Sequence, residues 1–258
     1  MAKKPEADPL EPLRALALGL NLTTIARELS AILARAESSS PSFSEFLRQA
    51  LEIEQAARRE RKIQRRLRWS RIGATIPLSD FDFAVRPQLS PAVVRELATC
   101  RFIEERRNVI LVGRPSTGKT SIAKILGRAA CERGMSVYYT PMAEMLAALH
   151  AARADGSYRK VFRRVAQSSL LVIDDAGFGE LDPQNANELF KVVRERHRQR
   201  STILVSNLPF KQWAEPLPSP GLAVAIVDRL LDDATVLRFS GKSFRQPRDI
   251  HGDPLDGE

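Results

Sequence analysis

The sequence predicts an α/β protein in which a parallel sheet, covered by helices on both faces, carries a phosphate-binding loop and follows a small all-α segment. Three observations predict it. Short apolar runs at 109–112, 136–139, 170–173 and 202–205 alternate with helical stretches at about 118–133, 142–154, 158–167, 184–199 and 222–232. The first run opens directly into a glycine-containing octapeptide, Gly113 to Thr120. Ahead of residue 72 the apolar spacing is helical throughout.

The amino-terminal part is the all-α segment. Residues 1 to about 9 are polar and carry Pro5 and Pro9, which reads as a disordered lead. From Leu10 to about Arg35, Leu13, Leu16, Leu20, Ile25, Leu29, Ile32 and Leu33 recur at helical intervals. Ser38-Ser39-Ser40-Pro41 stops that helix. A second opens with Ser42 and Glu45 at capping-box spacing and runs to about Trp69. After Gly73, Pro77, Pro87 and Pro91 mark a linker that wraps onto the next domain. The expected division is therefore 1–72, a helical domain for DNA or partner binding, and 73–258, the sheet domain.

Composition narrows the partners. A length of 258 residues with 43% hydrophobic content supports one full core and a small accessory segment. The net charge of +9 attracts polyanions, nucleic acid first among them. Cys100 and Cys131 have neither disulfide-framework nor zinc spacing, which fits a reducing cytoplasm. No apolar run reaches the roughly 20 residues of a membrane span, and the first residues lack a signal peptide's apolar stretch. The expectation is a cytoplasmic protein with no membrane partner.

Chemistry concentrates at three strand ends. Gly113-Arg114-Pro115-Ser116-Thr117-Gly118-Lys119-Thr120 matches GxxxxGK[ST] between a strand and a helix that continues with Ser121. Backbone N–H groups and the helix start supply positive potential for phosphates, Lys119 reaches the β- and γ-phosphates, and the Thr120 hydroxyl is a Mg²⁺ ligand. Leu170-Leu171-Val172-Ile173 ends in Asp174-Asp175, a Walker B pattern in which Asp174 holds Mg²⁺ and Asp175 orients or deprotonates the attacking water; two acids after a strand also serve as a helix cap. Thr202-Ile203-Leu204-Val205 delivers Ser206-Asn207 to the same edge, where Asn207 is a candidate sensor of the γ-phosphate or else a turn residue before Pro209. ATP and Mg²⁺ are the implied ligands.

Positive charge clusters in three places. Arg58, Arg59, Arg61, Lys62, Arg65, Arg66 and Arg68 lie on the second helix, with Arg71 beyond and one acid, Glu60, among them. The choice is between phosphate contact, with Arg58, Arg61, Lys62, Arg65, Arg66 and Arg68 touching DNA, and a solvated helical face. Trp69 beside them either stacks on a base or packs on its own domain. Arg159, Lys160, Arg163 and Arg164, and Arg194, Arg196, Arg198 and Arg200, are further candidates for a DNA path. His197 among the latter reads as a surface residue.

The blocks GRPSTGKTSIA (113–123), LLVIDDAGFGEL (170–181), STILVSNLPFKQW (201–213), AIVDRLL (225–231) and GKSFR (241–245), with SFSEFLRQALEIEQAARRERKIQRRLR (42–68) and LSDFDF (78–83), resemble IstB-like ATPases over about residues 12 to 246. These are helpers of a transposase in one insertion-sequence family and relatives of bacterial replicative helicase loaders. The resemblance implies a AAA+ P-loop NTPase that self-assembles on DNA and controls a transposase at its target. It also implies an arginine finger at Arg229, in Asp228-Arg229-Leu230, acting in trans on a neighbouring subunit; pairing with Asp228 or Asp232 is the alternative. Arg114 and Ser116 replace the small Pro or Gly usual in the family's loop, and Asp175 stands where many other AAA+ enzymes have glutamate. Gly179-Glu180 departs from the family's commoner order and leaves the role of Glu180 open, and Arg245 is a weaker candidate for nucleotide or DNA contact. The function implied is a DNA-binding ATPase assisting transposition. A helicase loader, a non-hydrolysing DNA-binding scaffold and a small-molecule kinase are the alternatives.

Overall fold

The computed structural model describes residues 8–84, 89–177, 181–208, 212–213 and 220–240. The chain forms two compact units, 1–65 and 66–258. The division falls inside a helix rather than near residue 72. The last turns of that helix belong to the larger unit, where Leu67 packs beside Ile72 on the core and Ser70 is fully buried.

The smaller unit is built from α1 (Glu11–Gly19), α2 (Thr23–Ser39) and the first part of α3 (Phe43–Ser70). One helix was expected over 10–35, but the chain breaks after Gly19: Asn21 adopts φ +58° and the Leu22 N–H returns to the Ala17 carbonyl at 2.7 Å. Asparagine tolerates this left-handed geometry, and leucines on both sides conceal the break from a periodicity count. Ala17, Ala26, Leu29, Ile32 and Ala50 are buried, whereas Leu13, Leu16 and Leu20, read as part of the apolar face, are 50%, 66% and 69% exposed. At the start of α3 the Glu45 N–H donates to Ser42 Oγ at 3.3 Å, but the Glu45 carboxylate accepts from Arg48 and Gln49, so only half of the capping box forms.

A glutamate on α3 completes the start of α2. Leu22, at the N-cap, has no side-chain acceptor. The Glu54 carboxylate, 2% exposed, accepts from the Thr24 N–H at 2.7 Å and the Ile25 N–H at 3.1 Å, two of the amides a helix start leaves unpaired. Arg58 and Arg61 each donate to Glu54 at 3.0 Å; Arg58 also reaches the Asn21 carbonyl and Arg61 the Thr24 hydroxyl. These two arginines, expected on DNA, help hold the helical unit together, because a buried carboxylate needs cations beside it.

The larger unit contains a five-stranded parallel sheet of order β2-β3-β4-β1-β5: β1 Val109–Gly113, β2 Val137–Pro141, β3 Leu170–Ala176, β4 Ser201–Ser206 and β5 Thr235–Phe239. The four expected strands are present. β5 was not anticipated, because it is an edge strand with Val236 and Arg238 outward and lacks the continuous apolar run of the others. Helices α4 (Pro91–Ala98), α5 (Arg101–Glu104), α6 (Lys119–Glu132), α7 (Met142–Ala154), α8 (Tyr158–Gln167), α9 (Pro183–Arg196) and α10 (Pro220–Leu231) surround it; α4 and α5 fall in the stretch read as linker.

Strand alternation divides the core in two. Val109, Leu111, Val172, Ile203 and Val205 face Ile122, Ile125 and Leu126 of α6, while Ile110, Leu171, Ile173 and Leu204 face Met145, Leu149, Leu189, Val192 and Ile226 of α7, α9 and α10. Each such side chain contributes about 1.5–3 kcal/mol on burial, so the two-sided sheet dominates the unit's stability. α6 lies close enough to Ile72 that a Cβ on Gly127 would sit 2.9 Å from Ile72 Cδ1. α9 ends at Arg196, short of the expected 199, because Arg198 turns into left-handed backbone at φ +56°. No helix among the described residues is long and apolar enough to cross a membrane.

The Glu54 cap gives the smaller unit a pH dependence. Burial raises this carboxyl's pKa, but the Ile25 N–H, Arg58, the Thr24 N–H and Arg61 together outweigh burial and hold it down to about 2 from 4.5. Its contribution is complete above pH 4.5 and is lost as pH falls from there towards 2. Amide resonances of Thr24 and Ile25 in the folded chain, followed by NMR, should titrate at about pH 2, at the lower end of that window. Glu54→Gln should abolish the step and lower the helical unit's stability at neutral pH.

Candidate nucleotide-binding and catalytic site

The strand order gathers the expected site. β1 lies beside β4, and β4 beside β3, so the loop after β1, Asn207 after β4 and the two aspartates of β3 share one carboxyl edge. A pocket of about 230 Å³ there is lined by Pro115 to Ser121, Asp175, Val205 and Asn207. Gly113 and Arg114 precede the lined stretch. Gly113 has φ +153°, and a Cβ on it would lie 2.0 Å from the Phe239 carbonyl oxygen of β5, so only glycine fits between the strands. Ser116 and Gly118 take left-handed backbone at φ +58° and +94°, and the Thr117 hydroxyl closes the turn by donating to the Arg114 carbonyl at 2.8 Å.

Lys119 is 4% exposed and donates from Nζ to the Gly113 and Arg114 carbonyls at 2.7 and 2.6 Å. Burial lowers its pKa, opposed by the charges of Asp174 and Asp175. The Thr120 hydroxyl donates to Asp174 Oδ1 at 3.2 Å. A hydroxyl and a carboxylate this close, both hard oxygen donors beside the loop, suit a small divalent cation.

The pair of aspartates is separated by a bulge. Ile173 pairs with Leu204 and Ala176 with Ser206, so Asp174 and Asp175 together stand opposite Val205 alone. Asp175 takes left-handed backbone at φ +50° and turns out into the pocket, while Asp174 stays 2% exposed. The extra residue re-aims one acid without moving the other. Neither acid serves as a helix cap; that role at α9 falls to Asp182, which accepts from the Asn185 N–H at 2.7 Å.

Two residues that sequence reasoning missed support these groups. Tyr139, on β2, donates its hydroxyl to Asp174 Oδ2 at 2.5 Å; burial, then the Asp174 hydrogen bond, push its own pKa up. Ser206 Oγ donates to the Ala176 carbonyl at 2.7 Å and accepts from the Trp213 Nε1–H at 3.0 Å and the Leu208 N–H at 3.1 Å, binding the ends of β3 and β4 on either side of Asn207. A tyrosine in a strand and a serine before a candidate asparagine carry no sequence signal of such roles.

Arg229 does not line the pocket. It donates to the Ala225 carbonyl at 2.7 Å, and its guanidinium lies 5.4 Å from the Phe190 ring centre. Asp232, an alternative partner for it, accepts from Arg198 at 2.8 Å and hydrogen-bonds His197 at 2.7 Å. Arg196, expected on a DNA path, is 2% exposed and donates to the Val165, Ala166 and Ser168 carbonyls at 3.1, 3.0 and 2.9 Å, to Thr202 Oγ1 at 3.1 Å and to the Ser201 carbonyl. Burial, with Arg200 nearby, lowers its pKa to about 9, so it is cationic at neutral pH and neutralises the carbonyl end of α8. Among the expected DNA contacts, Arg58, Arg61, Lys62, Arg65 and Arg68 are exposed and Arg66 is half-buried. In the larger unit, Trp69, 68% exposed, lines a groove with Arg159, Lys160, Arg163 and Arg164 of α8. Glu180 and Arg245 lie outside the described residues.

A parallel sheet of this order with a phosphate-binding loop, a Walker B acid and the helices around them defines a AAA+ P-loop ATPase. The family model for IstB-like ATP binding protein matches residues 15–251, and the chain belongs to that family. It is 33% identical over 226 residues to a Geobacillus stearothermophilus protein named as an ATP-binding protein of insertion sequence IS5376, covering 88% of this chain and 90% of that one. It is 32% identical over 236 residues to the corresponding protein of insertion sequence IS21 from Pseudomonas aeruginosa, covering 92% and 89%. Among solved structures the DnaC helicase loader is similar in fold, with a TM-score of 0.54 and 19% identity over 67% of this chain and 99% of that one. The chain is thus a nucleotide-binding ATPase of the insertion-sequence type.

Ser206 yields a test of how the site is braced. In a Trp69→Phe background, where emission reports Trp213 alone, Ser206→Ala should shift the emission to longer wavelength. It should also lower stability by about 1–2 kcal/mol, the cost of orphaning the buried partners of one hydroxyl. Unchanged emission would show that Trp213 and the two strand ends hold together without it.

Proposed function

We propose that this chain is a DNA-binding AAA+ ATPase that assembles on duplex target DNA with ATP and Mg²⁺ and assists a transposase. The observation that carries the catalytic part is the meeting of Lys119, Thr120, Asp174, Asp175 and Asn207 at one sheet edge around the loop. The backbone N–H groups from Gly113 to Ser121, Pro115 having none, bind the phosphates, and Lys119 exchanges its two loop carbonyls for β- and γ-phosphate oxygens. Thr120 and Asp174 would hold Mg²⁺, which would supply positive charge to offset that developing on the phosphoryl oxygens. Asp175, turned out by the bulge, orients the attacking water, and Asn207 polarises it.

Arg229 acts in trans. Its place outside its own subunit's pocket supports this reading, and a finger of this kind contributes about 10³–10⁵ in rate. Hydrolysis then depends on assembly. The insertion-sequence relatives support a transposase partner, whereas the likeness to a helicase loader extends to the fold alone.

DNA contact is assigned to Lys62, Arg65, Arg66 and Arg68, joined by exposed Arg59 and by the α8 groove. The first turn of α8 contains no acid but does contain Arg159 and Lys160, where the helix dipole opposes positive charge. An anion in the groove offsets that cost.

Two experiments test the reading. Lys119→Ala and Arg229→Ala should each hydrolyse ATP poorly, and mixing them should restore part of the activity, one supplying the nucleotide site and the other the finger; Asp175→Asn should bind ATP without hydrolysing it. Co-assembled but inactive mixtures would rule out a finger at Arg229. For DNA, replacing Arg59, Lys62, Arg65 and Arg68 with alanine spares the Glu54 cap. If the four neutralise four phosphates, the slope of log affinity against log salt should flatten by about 3.6 on unrelated duplexes. An unchanged slope would remove α3 from the DNA surface.

A further inference from the structure

The tyrosine beside the Walker B acid fixes more than a rotamer. Tyr139 pairs with Val172 in the β2–β3 register, so its ring runs along the sheet edge towards Asp174. Its hydroxyl donates to Oδ2 at 2.5 Å, while Oδ1 accepts from the Thr120 hydroxyl at 3.2 Å and the Asp175 N–H at 2.9 Å. The two oxygens of one buried carboxylate therefore have separate duties: Oδ1 faces the loop threonine, and Oδ2 is occupied by the tyrosine. Lys124 Nζ, 5.1 Å from the centre of the Tyr139 ring, holds the ring from its face, a contact that does not involve the hydroxyl.

Mg²⁺ and Ca²⁺ differ in what they ask of a carboxylate. Mg²⁺ is small, near-octahedral and takes one oxygen from each carboxylate, directly or through its waters; Ca²⁺ accommodates more ligands and readily takes both oxygens of one carboxylate. We propose that Tyr139 is a positioning residue that, by occupying Oδ2, presents Asp174 to the nucleotide-bound cation through one oxygen and so selects Mg²⁺ over Ca²⁺. This rests on Thr120 and Asp174 being the cation site. Removing the hydroxyl does two things at once: Oδ1 loses its fixed orientation, which weakens Mg²⁺, and Oδ2 becomes available, which offsets the loss for Ca²⁺. Groups that orient a metal ligand from behind change metal affinity by about 10–100-fold, so the selectivity should narrow by about tenfold.

The test uses the full chain and a fluorescent ATP analogue whose binding is followed by anisotropy while Mg²⁺ or Ca²⁺ is titrated. Tyr139→Phe keeps the ring and its Lys124 contact and deletes only the hydroxyl. The expected result is unchanged analogue binding in excess chelator, about tenfold more Mg²⁺ needed for half-effect, and little change for Ca²⁺. An equal loss for both ions would overturn the proposal by reducing Tyr139 to a packing residue, and so would equal curves for mutant and wild type. Wild-type binding indifferent to either ion would overturn the cation site itself, an outcome distinct from the other two.

Discussion

Parallel pairing of β1 on both of its edges, with β4 on one side and β5 on the other, is the constraint on which the site depends. β1 carries the phosphate-binding loop, and only a strand with a neighbour on each side brings both Asn207 and the β5 end to that loop's base. The pairing is close enough that Gly113 and the Phe239 carbonyl leave no room for a Cβ. The first glycine of the motif therefore serves the sheet. The alternating apolar residues of β1 hold it there, Val109 and Leu111 in one core and Ile110 in the other.

Around that fixed loop the polar groups are placed by small departures from regularity. The bulge in β3 gives two adjacent acids different environments, one buried between Thr120 and Tyr139 and one turned into the pocket. Adjacent residues on a regular strand would point to opposite faces of the sheet, and one acid would enter the core. Ser206 then ties the strand ends so that the left-handed turn at Asp175 is held by hydrogen bonds on its far side. Backbone strain at Asp175 is sustained because the surrounding structure over-determines it.

Three sets of basic residues differ physically in ways that a count of charge conceals. Arg196 is buried against carbonyl oxygens and fastens the ends of α8 and α9 to the start of β4. Arg58 and Arg61 neutralise a glutamate that caps a helix. Arg159, Lys160, Arg163 and Arg164 stand exposed around a groove with Trp69, the first two in the opening turn of α8, where the helix dipole opposes positive charge, and Arg164 in its last turn. The last group and the outward cations of α3 stand exposed to solvent.

The sequence by itself determined four of the five strands, most of the helices that cover them and the identity of the loop, because each depends on local information: apolar runs, helical period and a motif whose spacing is its mechanism. The same local reasoning found Asp174, Asp175 and Asn207, since residues at the carboxyl ends of consecutive parallel strands share an edge whatever the strand order. It did not find the break at Asn21, the edge strand β5 or the bulge at Asp175, where the deciding interactions come from other segments. Nor did it distinguish buried Arg196 from exposed Arg194, or show that Arg61 and not Lys62 reaches Glu54, since neighbours in a charged run look alike until the fold gives one of them a partner. Tyr139 and Ser206 became visible only in three dimensions: their chemistry depends on which strand lies beside which, and hydrogen bonds between strands leave no periodicity in the chain.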